Sequence, residues 1–211
     1  MDGDMADLGE IHRLAGEFGA RVMIDEAHAL GVVGHTGRGT AEVFGLEGRV
    51  DLTAGTLSKL PGGIGGYVAA SKTVVDYLRF YSRPYFFSTS IPAPVVAGLL
   101  EVFDILENDR SYHESLWRNI RYMVEHLRAL GFDLGNTASA IVPIMVGEEE
   151  TLKRFAVDLH KRGVVMSYVA YPAVPKRRAR MRMSLMAQHT LEDLDTVLET
   201  LAELGKKHGV I

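Results

Sequence analysis

The chain has 211 residues, a formal net charge of −4 and no cysteine, which excludes disulfides, thiolate nucleophiles and Cys-ligated metals and fits a cytoplasmic location. Hydrophobic residues make up 47% and charged residues 24%, the balance of a soluble globular protein, and apart from Lys176, Arg177 and Arg178 no basic stripe marks a nucleic-acid partner. Met1 to Glu10 is acidic with no apolar run, so no secretory leader is expected, and Ile91 to Leu100, broken by Pro92 and Pro94, is too short to span a bilayer.

Along the chain, helical and strand patterns alternate, the mark of an α/β protein. Leu8, Ile11, Leu14, Ala15 and Phe18 recur at helical spacing and stop at Gly19. Val22 to Ile24 reads as a short buried strand ending in Asp25. Leu52 to Ala54 reads as a second, ending at a loop from Gly55 to Gly66, and Tyr67 to Ala70 as a third. Helices are expected over 73–81, 95–106 and 112–130, the last carrying Leu116, Ile120, Met123 and Leu127 on one face. The remainder reads as a smaller α/β unit. Its strands are expected over 141–146, 164–168 and 180–185, and its helices over 151–161 and 191–207. Thr190 with Asp193 three residues on is a capping arrangement for the last helix. A domain boundary is placed where the long helix begins, giving 1–106 and 107–211.

Two segments carry chemistry. In the first, Asp25 leaves the C-terminal end of a buried strand, followed by Glu26, Ala27 and His28. Open α/β sheets bind ligands at that end, although an Asp there also serves as a plain turn cap. Asp25-Glu26-Ala27-His28 also spells a helicase-type Walker B box, but the chain contains no G-x-x-x-x-G-K-[ST] phosphate loop to go with it. In the second, Thr56, Ser58 and Lys59 precede four glycines in five residues, Gly62, Gly63, Gly65 and Gly66. Glycines let backbone approach a planar ligand closely, the hydroxyls suit a phosphate, and a desolvated lysine forms Schiff bases. A pyridoxal cofactor needs a lysine, an acid at its ring nitrogen and phosphate donors, and these two segments hold all three.

The strings from Asp25 to Glu42, Gly55 to Lys59, Ser82 to Ser90, Ser139 to Gly147 and Tyr171 to Thr190 occur in the order found in the α-oxoamine synthases, which the chain resembles over nearly its whole length. The resemblance implies a fold-type I PLP-dependent transferase: part of a large domain with a mixed or parallel sheet, then a small C-terminal α/β domain. Family chains are about twice this length, so it covers their C-terminal half. It implies pyridoxal 5′-phosphate as cofactor and no metal. Asp25 would pair with the pyridinium nitrogen and His28 with the 3′-oxygen. Thr56 and Ser58 would serve the phosphate and Lys59 would carry the Schiff base. Ser88 and Thr89 would reach the cofactor phosphate of a partner subunit in a homodimer. Arg182 would clamp the amino-acid carboxylate, with Arg180 as a competing candidate.

The activity implied is acyl-CoA:amino-acid C-acyl transfer. Glycine, alanine or serine would displace Lys59, whose amine would remove the Cα proton before a Claisen-type condensation with acyl-CoA. Branch signals conflict. The Tyr171-Pro172-Ala173-Val174-Pro175-Lys176 string is similar to the glycine C-acetyltransferase branch. The loop after Lys59 is one residue shorter than typical there and fits the oxononanoate and serine palmitoyltransferase branches, and Ala170 stands where several members carry arginine. An aminotransferase would share Asp25 and Lys59 without needing the Ser82 to Ser90 string. A non-catalytic fragment or subunit is the third expectation. A sheet without its neighbouring strands would also expose apolar edges, leaving the chain unstable, oligomeric or dependent on another chain.

Overall fold

The computed structural model describes residues 1–211, which form two compact units. The first is Ala6–Arg110, and the second joins Ser111–Ile211 with Met1–Met5. The break thus follows Arg110, and the first five residues belong with the C-terminal unit.

In the N-terminal unit, α1 (Leu8–Phe18) starts at Asp7, whose carboxylate accepts the Glu10 N–H at 3.0 Å, and ends at Gly19. Strand β1 (Met23–Asp25) pairs in parallel with β2 (Leu52–Thr56), which pairs antiparallel with β3 (Gly66–Ala70). The sheet order is β1-β2-β3, so the sheet is mixed and both outer strands are edges. Asp51 secures the entry to this sheet. Its carboxylate accepts the Val22 N–H and the Arg21 guanidinium, both at 2.9 Å. The Val22 bond first, then the Arg21 charge against the opposing effect of burial, holds Asp51 below its ordinary pKa.

Beneath the sheet, Leu8, Val22 and Leu46 form a small buried cluster with Ala15, Ile24, Ala41, Phe44 and Val50 packed on it. Four-residue helix α2 (Thr40–Val43) precedes β2, and α3 (Lys72–Tyr81), α4 (Arg83–Phe86) and α5 (Ala93–Asn108) follow β3. Much apolar surface of this unit faces solvent: Phe18 is 76% exposed, Met23 60% and Phe87 81%. This is the exposure expected of a sheet without neighbouring strands.

The C-terminal unit holds α6 (Ser111–Ala129), β4 (Ile141–Gly147), α7 (Glu149–Lys161), β5 (Ser167–Val169), β6 (Ala179–Ser184) and α8 (Leu191–His208). Its antiparallel sheet runs β4-β6-β5. Met123 and Leu127 of α6, Ile144 of β4, Phe155 of α7, Met181 of β6 and Leu201 of α8 are essentially solvent-free and make up its core. The expected cap is present. Thr190 and Asp193 form a reciprocal capping box at the start of α8.

Three expectations are corrected. Gly55 and Thr56 lie within β2 and Gly66 within β3, so the loop is confined to residues 57–65. The strand expected over 164–168 is β5, at Ser167–Val169. Val164 is apolar and buried, but its N–H donates to the Leu159 carbonyl at 3.0 Å, which closes the end of α7 rather than extending a ladder. Helices α2 and α4 lie where no element was expected, because four residues show no periodicity.

Candidate active site

Strand register brings the two chemical segments to one end of the N-terminal sheet, where parallel β1 and β2 run out. Asp25 is the last residue of β1 and faces Ala54 in parallel β2. Parallel strands end on the same side, so Asp25 emerges where β2 runs out through Thr56 into the loop that carries Lys59. Side chains alternate across the sheet. Asp25 therefore shares a face with Ala54 and Thr56, and Glu26 turns to the opposite face.

Asp25 is exposed, and its Oδ1 accepts the Ala27 N–H at 2.8 Å, a turn that fixes the carboxylate at the strand end. His28 is exposed in the turn that follows. Lys59 is exposed in a tightly closed loop. The Leu57 N–H donates to Gly65 at 2.9 Å, Gly63 to Leu57 at 2.8 Å and Gly62 to the Lys59 carbonyl at 3.0 Å. Thr56 and Ser58 share a hydroxyl–hydroxyl bond of 2.7 Å at the mouth of this loop. Ser88 and Thr89 are exposed just beyond α4 in the same unit.

This donor set fits a pyridoxal phosphate. An acceptor carboxylate suits the ring N–H and paired hydroxyls suit phosphate oxygens, while the Lys59 amine is open to an aldehyde but solvent-exposed, not in the desolvated setting expected of it. No group of three or more His, Asp or Glu is arranged to hold a metal ion.

Two further residues at this end of the sheet have roles not legible in the sequence. Tyr67 of β3 faces Gly55 of β2, and its half-buried phenol is held above its ordinary pKa by burial, then by the negative charges of Glu26 and Asp25. A glycine inside a strand is the sequence signal for such a close approach. Glu26 is only 2% exposed, and its carboxylate is bound by the start of α2. In the same turn region the Thr36 hydroxyl and the Thr36 and Arg38 N–H groups bind Glu42. Burial alone would raise this acid, and these bonds keep it below its ordinary value.

In the C-terminal unit the competing arginines occupy different settings. Arg180 is 2% exposed, forms an ion pair with Asp2, and donates from Nε to the Arg178 carbonyl at 3.0 Å. Arg182 lies two residues on, on the same face of β6, and lines an open pocket of about 320 Å³ with Val164, Met166, Ser167, Met183 and His189. The loop beyond β6 is fixed by Asn119, fully buried, whose amide donates to the Met186 and His189 carbonyls at 3.0 and 2.9 Å.

A mixed sheet with a lysine loop and a strand-end acid at one end is the large-domain signature expected of fold-type I enzymes. The aminotransferase class I and II family matches residues 1–201, and the chain belongs to it. Over all 211 residues it is 42% identical to 8-amino-7-oxononanoate synthase of Thermoanaerobacter pseudethanolicus and 44% identical to that of Bacillus pumilus, covering 53% and 54% of those proteins. A solved structure of SPT with a PLP internal aldimine superposes with a TM-score of 0.95 at 36% identity, over 100% of this chain and 54% of that one. The resemblance to the α-oxoamine synthases and their fold-type I architecture is thereby borne out. The chain spans about half the length of the relatives it matches. No helix is long and apolar enough to cross a membrane.

Proposed function

We propose that the chain provides the lysine-bearing half of a PLP-dependent acyl-CoA:amino-acid C-acyltransferase, cytoplasmic and homodimeric, of the oxononanoate synthase kind. The observation that carries the reading is the β1–β2 register, which sets Asp25 and the Lys59 loop at one end of the sheet. The identity to oxononanoate synthases over the whole chain supports the same branch.

When bound, PLP supplies an electron sink for a carbanion at the amino acid's Cα. The chain's own residues do the rest. Asp25 would accept a hydrogen bond from the ring nitrogen and keep it protonated, and His28 would donate to the ring oxygen. Thr56 and Ser58, with Ser88 and Thr89 of a second copy, would hold the phosphate. Lys59 would hold the cofactor's aldehyde and serve as the base for the Cα proton on Nζ. Arg182 receives the carboxylate of glycine, alanine or serine, where its planar fork gives two parallel bonds. The acyl group comes from acyl-CoA.

The apolar side chains exposed on the N-terminal unit favour one condition on this activity: further polypeptide must cover that face. The 211-residue protein alone is therefore expected to turn over weakly or not at all.

The test is a titration with pyridoxal phosphate, followed by borohydride and peptide mapping. A visible band that borohydride removes, leaving the label on Lys59, supports the reading. A label elsewhere, or no band, overturns it. Glycine, alanine and serine offered with short and long acyl-CoAs then identify the branch.

A further inference from the structure

Glu26 is a buried acid between two residues assigned to the cofactor, and the mechanism above makes no use of it. A carboxylate that is 2% exposed carries a large desolvation cost unless donors surround it. Here three do. Oε1 accepts the Thr40 N–H at 2.8 Å and the Ala41 N–H at 3.3 Å, and Oε2 accepts the Thr40 hydroxyl at 3.0 Å. All belong to the first turn of α2, whose N-cap is Gly39, a residue with no side chain to cap it. Glu26 thus does the work of a helix cap from 14 residues away.

The site is built to this carboxylate. Gly39 has φ of 100°, and a Cβ there would lie 2.8 Å from Glu26 Cδ and 2.9 Å from each carboxylate oxygen. Glu26 is equally tied through its backbone. Its N–H donates to the Ala54 carbonyl at 2.7 Å, one step beyond the Asp25–Ala54 pair, and its carbonyl accepts the Ala29 and Leu30 N–H groups at 3.0 Å. One residue therefore joins the end of β1, the turn bearing His28 and the start of α2.

We propose that Glu26 is a positioning residue, locking the strand end and turn so that Asp25 and His28 are held in place for the cofactor. This rests on the reading that those two residues serve pyridoxal phosphate. Because β1 alternates, anchoring Glu26 on one face fixes the direction of Asp25 on the other. Releasing it frees both ends of the turn.

The experiment uses Glu26→Ala and Glu26→Gln. Glutamine keeps an Oε1 for the two N–H groups and donates from Nε2 to the Thr40 hydroxyl, which can turn to accept. Glu26→Ala is expected to weaken pyridoxal phosphate binding roughly 10- to 100-fold, the scale of loss seen when an outer partner of a metal-ligating side chain is removed. It also shifts the midpoint of the visible band's pH titration and speeds amide exchange at Ala27, whose N–H reports the Asp25 carboxylate. Glu26→Gln restores all three.

Wild-type affinity, midpoint and exchange in Glu26→Ala overturn the proposal, as does a folded Glu26→Gln that behaves like Glu26→Ala. Should Glu26→Ala not fold, Gly39→Ala presses on the same carboxylate and is expected to give the same losses; wild-type values there overturn the proposal as well. A wild-type protein that forms no visible band sinks the cofactor reading itself, whereas a wild-type band that these variants leave unaltered sinks only the role of Glu26.

Discussion

The ring of Tyr67 lies across the α-carbon of Gly55, its partner in the β2–β3 ladder, so closely that a Cβ on Gly55 would stand 2.6 Å from two ring carbons and from the phenol oxygen. Gly55 leads directly into Thr56, so the contact bears on the strand that delivers Lys59. Gly55→Ala must displace either the ring or the strand, and overpacking of this kind costs about 1–3 kcal/mol. Urea unfolding followed by tyrosine near-UV dichroism is expected to show that loss. Tyr67→Ala should relieve it, so the double variant loses less than the two single variants together, with a coupling of roughly 0.5–3 kcal/mol. Strict additivity would show that the ring and the glycine do not constrain each other.

The acid dependence of the C-terminal unit centres on Asp158 of α7. Its carboxylate accepts Lys207 Nζ at 2.7 Å, His208 Nε2 at 3.0 Å and Lys161 Nζ at 3.3 Å. The Lys207 bond first, then His208 and Lys161, holds its pKa far below the ordinary 3.8. A depressed carboxylate binds its proton more readily in the unfolded chain. Its stabilisation is therefore complete above pH 3.8 and is lost as pH falls below that value toward the folded pKa. Unfolding midpoints read from Trp117 in the same unit should drop on acidification below that point, and Asp158→Asn should flatten this part of the profile. An unchanged slope in the variant would assign the acid sensitivity to other carboxylates.

How far the sequence could be read depended on how local each signal was. Asp25 and the loop after Lys59 stood out because a strand-end acid and a glycine cluster are short-range patterns. The α8 cap was legible because Thr190 and Asp193 are three residues apart. The role of Glu26 was not legible, since its partners begin at Thr40 and capping rules look only about three residues along the chain. The start of β5 is not legible in the sequence because Val164 has strand-like chemistry, and only its bond to Leu159 shows that it ends a helix. Tyr67 escapes the sequence for a related reason: Gly55 reads as loop, which hides the cross-strand pair.

Arg180 and Arg182 show the same limit and give the sharpest test. Alternation places both on one face of β6, so periodicity alone cannot separate a structural arginine from a ligand-binding one. Burial separates them: Arg180 is 2% exposed and paired with Asp2, and Arg182 lines the pocket. Asp2→Asn would leave a buried guanidinium without its counter-charge. Loss of one partner of a fully buried pair costs ~3–5 kcal/mol, and because the Asp2 side chain is 46% exposed a smaller loss of about 1–2 kcal/mol is expected here. Adding Arg180→Met should recover most of it, since an apolar side chain needs no counter-charge. Arg182→Lys should do the reverse. It should move the unfolding midpoint less than Asp2→Asn and weaken amino-acid binding, because an ammonium cannot reproduce two parallel bonds to a carboxylate. If Arg182→Lys left amino-acid affinity intact while Arg180→Met abolished it, the two assignments would have to be exchanged.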